Sequence, residues 1–206
     1  MRKETVWARR GGDPVFSATV TVRAGAALSW EEVLDFLEPG WGVREPFPPC
    51  GGQRRFVIQA RDEEGLARLL LAAEGSRHVL ACEDRLWAMS AGGRIQVRSR
   101  IPVGSASELA MAYTPGVARL ATRIAADPGM AWQVTGRRNR VAVVSDGTCV
   151  LDLGAVGPLA ALPVMEGKAA LLARLAGIDA VPVCVDTADV DHLVATVRAL
   201  ARRSGR

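Results

Sequence analysis

The chain has 206 residues, of which 26 are basic and 22 acidic, giving a formal net charge of +4 and a pI near 9.2. Its 49% hydrophobic and 23% charged composition is typical of a globular protein. It contains neither an apolar run of 18 residues nor an apolar segment behind its first positive charges, so we expect no membrane span, no secretory signal and a cytoplasmic location. The arginines are dispersed, and no aromatic residue lies within the densest cluster, Arg137, Arg138 and Arg140, so we expect no nucleic-acid binding.

The four cysteines are spread singly, without a CxxC pair and with only two histidines in the chain. This spacing predicts neither a zinc site nor a disulfide framework. Cys149 and Cys184 lie in apolar runs, and we expect both to be small buried hydrophobic residues.

The first half of the chain alternates predicted strands and helices behind a polar leader at residues 1–12. The predicted elements are a strand at 15–23, a helix capped by Ser29 that ends before Pro39, an edge strand around Val43, a strand at 55–60, a helix at 63–73 capped by Asp62, and a closing strand or hairpin at 78–82 and 86–89. This order over residues 13–90 predicts a ferredoxin-like α+β domain. The pattern resembles the ACT type, which implies small-molecule regulation, although a structural or dimerising role fits equally well.

The second half, residues 93–206, follows the boundary at Gly92 and Gly93 and is predicted to be an α/β unit. The predicted elements are a helix after Ser107, a turn at Pro115 and Gly116, a helix at 117–126, a strand at 140–145 buried on both faces, a second strand at 149–153, helical segments within 159–176, a buried strand at 178–186 and an amphipathic helix at 189–203. Lys168 is expected near the start of the second helical segment, after Gly167.

Two residues of this half, Tyr113 and Lys168, belong to residue types that are rare in this chain. The chain has 24 arginines but only two lysines, Lys3 and Lys168, and Tyr113 is its single tyrosine. Lysine, unlike arginine, can lose its proton in a protein, and a tyrosine near a cation can donate one. Lys168 and Tyr113 could therefore form an acid–base pair, and from spacing alone ordinary packing roles are equally possible.

Three segments resemble the N-terminal, substrate-side domain of bacterial malic enzymes. They are AYTPGVA at residues 112–118, RNRVAVVSDGTCVLDLGAVGPLAALPVMEGKAALLARLAGIDAVPVCVDT at 138–187, and GRIQVRSRIPV at 93–103. The resemblance implies that Tyr113 is a general acid and Lys168 a general base at a small carboxylate or carbonyl substrate. It also leads us to expect Asp146, Cys149, Asp152 and Glu166 in the substrate pocket. Some members of the family carry an ACT-like leader, which agrees with the prediction for residues 13–90.

The sequence departs from the family pattern in several places. Asp152 and Ala155 replace a glycine and an Asp or Asn of the family, so DLGAVG is an altered GLGDIG, and its partial GxGxxG pattern is not a dinucleotide fingerprint. The metal-binding Glu-Asp pair and the Rossmann domain of the family follow the last helix seen here, and the chain stops at Arg206 before them. We therefore expect no metal and no dinucleotide cofactor, and no oxidative decarboxylation of malate by this chain alone.

Three hypotheses follow for the function. The first is a stand-alone homodimeric enzyme that uses Lys168 and Tyr113 for cofactor-independent tautomerisation, isomerisation, dehydration or decarboxylation. The second is a non-catalytic module that binds a small acid through its ACT-like half or pairs with a full-length malic enzyme. The third is a fragment of a complete malic enzyme, although the polar tail ARRSGR after an amphipathic helix is typical of a natural end.

Overall fold

A computed structural model describes residues 15–23, 36–38, 41–45 and 50–201 of the chain. The chain divides into two compact units, Met1–Gly92 and Gly93–Arg206, called the first and second units below. The polar leader predicted at residues 1–12 and most of the helix predicted after Ser29 lie outside the described residues.

The first unit contains a four-stranded antiparallel sheet. Its described elements are β1 (Ser17–Arg23), β2 (Gly42–Arg44), β3 (Gln53–Gln59), α1 (Glu63–Gly75), β4 (Val79–Asp84) and α2 (Arg85–Ser90). The strand order is β2-β3-β1-β4, with β1 paired to both β3 and β4. The short strand predicted around Val43 is β2, and it lies at an edge of the sheet as expected.

Helix α1 begins where the sequence predicts it. The Asp62 side chain accepts a hydrogen bond from the Gly65 N–H at 2.8 Å, which satisfies one of the free donors of the first turn. The predicted hairpin at residues 86–89 is wrong, because that segment forms helix α2. Asp84 ends β4 and caps α2 by accepting from the N–H groups of Leu86 and Trp87, so its side chain turns the chain from strand to helix.

The core of the first unit lies between the sheet and α1. Alternate residues of β1 face this core, and they are opposite apolar residues of β3, with Val20 paired to Phe56 and Ala18 to Ile58. The buried cluster consists of Ala18, Val20, Val22, Trp41, Phe56, Ile58, Ala60, Leu66 and Leu69. Strand alternation and the helical stripe of α1 thus enclose one continuous core.

The second unit is built around a parallel βαβ crossover. Its described elements are α3 (Ala106–Ala112), α4 (Gly116–Ala126), α5 (Ala131–Val134), β5 (Arg140–Ser145), α6 (Gly157–Ala176), β6 (Asp179–Cys184) and α7 (Val190–Ala201), with short 3-10 turns at Pro128–Met130, Gly136–Asn139 and Leu151–Leu153. Strands β5 and β6 pair in parallel from Arg140 opposite Asp179 to Ser145 opposite Cys184. Helix α6 connects them and packs on the sheet.

Several predictions for this unit are wrong. Residues 149–153 form a turn and a 3-10 helix instead of a strand, because Leu151 has a φ of 50°, outside the range of extended backbone. Neither strand is buried as predicted, since the described sheet has only two strands: β5 has three exposed and three half-buried residues, and the residues of β6 are likewise exposed or half-buried. Residues 157–176 form one helix rather than separate segments, and Pro163 and Gly167 lie inside it.

Candidate active site

The loop that follows β5 is held by its own hydrogen bonds. Ser145 Oγ accepts from the Gly147 N–H at 3.1 Å, and Asp146 Oδ1 accepts from the Thr148 N–H at 3.1 Å and from the Thr148 hydroxyl at 2.8 Å. The bonds from the Thr148 backbone and hydroxyl lower the pKa of Asp146 from its ordinary value. Asp146 is therefore an ionised carboxylate fixed near the carboxyl end of β5.

Gly147 joins this loop to the start of α6. Its carbonyl accepts from the N–H groups of Val156 at 3.0 Å and Gly157 at 3.1 Å, and its φ is 75°. A Cβ at Gly147 would lie 2.2 Å from the Gly157 carbonyl carbon, so only glycine fits there. Because these two amides bond to the Gly147 carbonyl, they are not free donors for a pyrophosphate, and the DLGAVG loop does not fit a dinucleotide.

Two predicted pocket residues lie in the same loop, and both are exposed. The prediction that Cys149 is buried is wrong, since its thiol is exposed, whereas Cys184 is half-buried at the end of β6 and burial raises its pKa. Asp152 is the central residue of a 3-10 turn. Positive φ angles in this loop fall on Gly147, Leu151, Gly154 and Gly157 and not on Asp152, so an aspartate is accommodated at residue 152.

Helix α6 carries Lys168. Ala161, Met165 and Ala169 form its buried stripe, which fixes the helix in place. Lys168 is eleven residues after Gly157, about 16 Å along the helix, and its side chain is exposed. It is in the middle of one long helix, not at the start of a second segment as the sequence suggested.

Glu166, also on α6, holds the beginning of the second unit. Its carboxylate accepts a hydrogen bond from the Arg94 N–H at 3.0 Å, and the Arg94 guanidinium donates to the Pro163 carbonyl at 3.3 Å. Glu166 and Lys168 are two residues apart and therefore point in directions about 160° apart around the helix axis. The structure therefore does not bring these two predicted site residues together.

Tyr113 ends α3. Its N–H donates to the Leu109 carbonyl at 2.8 Å and its own carbonyl accepts from the Val117 N–H at 2.7 Å, across a cis peptide bond between Thr114 and Pro115. The backbone is thus fixed between two helices, while the side chain is 68% exposed. Within the part of the chain that the structure describes, no hydrogen bond joins Tyr113 to Lys168.

Two adjoining cavities of the second unit are lined by other residues. One, of 760 Å³, is a groove between α7 and the β5–β6 sheet with no α6 residue in its lining, and we call it the α7 groove. The other, of 720 Å³, lies beside α4 and α5, and Trp132 and Arg137 line both. Sequence reasoning missed these cavities, and it used the cluster of Arg137, Arg138 and Arg140 only to argue against nucleic-acid binding. The alternating strand residues and the apolar stripe of α7 were the available signals.

Over the described ranges, no three His, Cys, Asp or Glu side chains are grouped so that they could hold a metal ion. The divalent metal that the resemblance implies therefore does not fit the described residues, and no step is assigned to it. Nor does any helix among these residues have the length and apolar character needed to cross a membrane.

Most of the second unit matches a known protein family. Residues 93–198 match the family model for the N-terminal domain of malic enzymes. The chain therefore belongs to the malic enzyme family.

Individual relatives agree with this assignment. The chain is 50% identical over 154 residues to an NAD-dependent malic enzyme of Geobacillus stearothermophilus, a match that covers 74% of this chain and 32% of that protein. It is 48% identical over 108 residues to a bifunctional malic/malolactic enzyme of Bacillus subtilis, covering 52% of this chain and 26% of the relative. The Geobacillus match is longer than the second unit, so it extends into the first. The chain spans about a third or less of the length of these relatives.

Solved structures show the same fold. A malic enzyme of Pyrococcus horikoshii matches with a TM-score of 0.52 and 47% identity, over 53% of this chain and 25% of that one. An NAD-dependent malic enzyme of Thermotoga maritima matches with a TM-score of 0.54 and 41% identity, over 57% and 34%. The second unit thus has the α/β fold of malic enzyme N-terminal domains.

Proposed function

We propose that the second unit transfers protons on a small carboxylic acid that carries a neighbouring hydroxyl or carbonyl group. Lys168 accepts the proton from the substrate oxygen, and Tyr113 donates one to the substrate carbon. The observation that carries this proposal is the family match over residues 93–198, which contains both residues within the motifs AYTPGVA and MEGKA.

Three features of the structure support these roles. Both side chains are exposed, so a substrate can reach them. The backbone of Tyr113 is fixed by hydrogen bonds on either side, and Lys168 lies on a helix that is anchored by its buried stripe. A positioned acid and base of this kind contribute about 10²–10⁴-fold each to a rate. The described residues supply the acid and the base themselves, so we place tautomerisation, isomerisation, dehydration and decarboxylation among the reactions open to the chain.

The test uses proton exchange, since exchange requires no net reaction. Pyruvate has a methyl group next to a carbonyl, and its deuteration in D₂O can be followed by NMR. We expect the protein to accelerate this exchange. Lys168→Arg keeps the charge but cannot act as a base, and Tyr113→Phe keeps the ring but cannot donate, so each should lower the enzymatic rate about 100-fold or more.

The matched control is Arg174→Gln, which also removes an exposed cation from α6 without touching the predicted pair. Circular dichroism of each variant checks that the fold is intact. Exchange at the wild-type rate in both Lys168→Arg and Tyr113→Phe would contradict the proposal.

We also infer that a second copy takes part in the functional protein. Large apolar side chains are exposed on α3 and α4, namely Leu109, Met111, Val117 and Leu120. Exposed apolar surface of this kind marks association sites. Size-exclusion chromatography with light scattering should give twice the chain mass, and a monomer at all micromolar concentrations would contradict this expectation.

A second candidate function is a regulatory module with an ACT-like first unit. The observation that favours it is the strand order β2-β3-β1-β4, which is the order expected for two interleaved split βαβ units. Such a unit would bind a small acid or a full-length malic enzyme. A panel of amino acids and dicarboxylates tested by thermal shift should then raise the Tm without turnover, whereas a flat panel together with no co-purifying malic enzyme would remove this candidate.

A further inference from the structure

The α7 groove has apolar walls on both sides. On the sheet, alternate residues of β5 and their register partners on β6 share one face, with Ala142 opposite Val181 and Val144 opposite Val183. Val197 and Leu200 of α7 form the opposite wall. The groove encloses 760 Å³, a volume within the range of small-molecule sites.

One arginine, Arg140, lies at one end of this apolar space. Arg140 belongs to the same strand face as Ala142 and also lines the groove. Its guanidinium makes no hydrogen bond or ion pair within the described residues, and Gly136 leaves room for it, since a Cβ there would lie 2.9 Å from Arg140 Nη2. Asp179 is the register partner of Arg140, but it forms no ion pair with it and does not line the groove.

A second arginine is held in place nearby. The Arg137 guanidinium lies over the Trp132 ring, 5.5 Å from its centroid, and both residues line the groove. None of the residues that line the groove is acidic. The groove is therefore apolar along its length and positive at one end, which is complementary to an anion with an apolar tail.

We propose that the α7 groove binds a free monocarboxylic acid with an unbranched apolar tail of roughly six to eight carbons, since its lining runs about 13 Å along β5 from Arg140 to Val144. The carboxylate pairs with Arg140, and the tail lies between the valines of the sheet and α7. An extended polypeptide segment fits less well, because its peptide N–H and C=O groups would face valines that offer no hydrogen-bond partner. This site is separate from Lys168 and Tyr113, and it does not depend on the proposed reaction.

Isothermal titration of the full chain with hexanoate, octanoate and octanol tests the proposal. Octanoate should bind at one site per chain. Hexanoate, with two fewer methylene groups, should bind about tenfold more weakly, since each buried methylene gives roughly a fourfold gain at most. Octanol, which lacks the charge, should bind about tenfold more weakly than octanoate because a charge-assisted hydrogen bond is lost.

Arg140→Gln should reduce octanoate affinity about tenfold and leave octanol affinity unchanged. Arg198→Gln is the matched control, since Arg198 is on α7 but does not line the groove, and it should bind octanoate as the wild type does. Leu200→Gln should weaken both ligands. If Arg140→Gln does not fold, Asp179→Asn still tests the head group: removal of the neighbouring carboxylate should strengthen octanoate binding two- to threefold.

Three results would overturn the proposal. They are equal affinities for octanoate and octanol, unchanged octanoate binding in Arg140→Gln, and the absence of saturable binding. If octanoate binding does not saturate, light scattering at the titration concentration shows whether a second copy of the chain or another polypeptide covers the groove.

Discussion

The two units of the chain bury their apolar side chains to different extents. In the first unit, strand alternation and the stripe of α1 enclose a core in which Ile58 and Leu69 are completely buried. In the second unit, the buried apolar residues among those described are Val150 and the stripe of Ala161, Met165 and Ala169. Four leucines of this unit, Leu151, Leu153, Leu159 and Leu175, are between 70% and 80% exposed.

This difference indicates how each unit is held together. The first unit relies on hydrophobic burial, the dominant favourable contribution to folding. The second buries fewer apolar side chains among the described residues, and its loop after β5 is fixed by hydrogen bonds to the Gly147 carbonyl and by the close backbone approach at Gly147. Its remaining apolar surface is available for association or ligand binding. Substitutions of matched type in the two units should therefore have different costs.

The largest effect is expected at Leu69. Leu69→Ala removes a completely buried side chain and should lower the free energy of unfolding by about 2–5 kcal/mol. Leu175→Ala, at a position 80% exposed, should change it by about 0.5 kcal/mol or less. Urea unfolding measures both. A cost above about 2 kcal/mol for Leu175→Ala would break the comparison, because it would mean that this surface is covered in solution.

Glycine substitutions should show the role of loop geometry in the second unit. Gly147→Ala brings a Cβ to 2.2 Å from the backbone of Gly157 at a φ of 75°, and should destabilise this unit by about 2 kcal/mol or more. Gly177→Ala is the control: its φ of 64° is in the left-handed region, but no atom lies within 4 Å of the new Cβ, so about 1 kcal/mol is expected. Equal thermal unfolding of the two variants would contradict the steric explanation.

The reactivity of the cysteines should follow burial. Burial raises the pKa of the Cys82 thiol to about 11, with smaller contributions from Glu74 and Glu83. At pH 8 we expect Cys82 to react with a disulfide reagent on the order of tenfold or more slowly than the exposed Cys50 and Cys149, because the thiolate is the nucleophile. Mass spectrometry of partially labelled protein gives the order. Early labelling of Cys82 would show that the first unit opens readily.

The smallest effect is expected at a surface ion pair of the first unit. Glu45 accepts two hydrogen bonds from Arg54, at 2.8 and 2.6 Å, and these bonds lower the pKa of Glu45. A carboxylate whose folded pKa is lowered adds stability above its unfolded pKa, and this stability is lost as the pH falls through the folded value. Glu45→Gln should cost less than about 1 kcal/mol at pH 7, and less still at an acidic pH below the lowered pKa of Glu45. An equal cost at both pH values in chemical unfolding would exclude the ionic explanation.

The sequence predicts those elements whose local signals agree. Asp62 before an amphipathic stretch predicts α1, and the β-branched run at residues 140–145 predicts β5 with its observed bounds. Residues 86–89 and 149–153 fail because short apolar runs do not distinguish strand from helix or turn. The Asp84 cap and the positive φ of Leu151 decide their structure.

For the candidate site, the motifs identify residues but not their arrangement. Tyr113 and Lys168 come from a family pattern, and their roles stay predictions. Spacing along the chain does not show that Glu166 and Lys168 point apart, because that depends on whether residues 157–176 form one helix or two. Similarly, the α7 groove depends on how α7 packs beside β5 and β6, and the apolar stripe of α7 does not show which residues it will face.

The hydrogen bond between Glu166 and the Arg94 N–H also has a practical consequence for protein engineering. It makes Gly93 and Arg94 part of the second unit, and Gly93 lies so close to Glu166 that a Cβ there would be 3.3 Å from Oε1. A fusion partner or a longer linker can therefore be inserted before Gly93 without loss of this bond. Insertion between Arg94 and the rest of the unit would instead leave the Glu166 carboxylate without its amide donor.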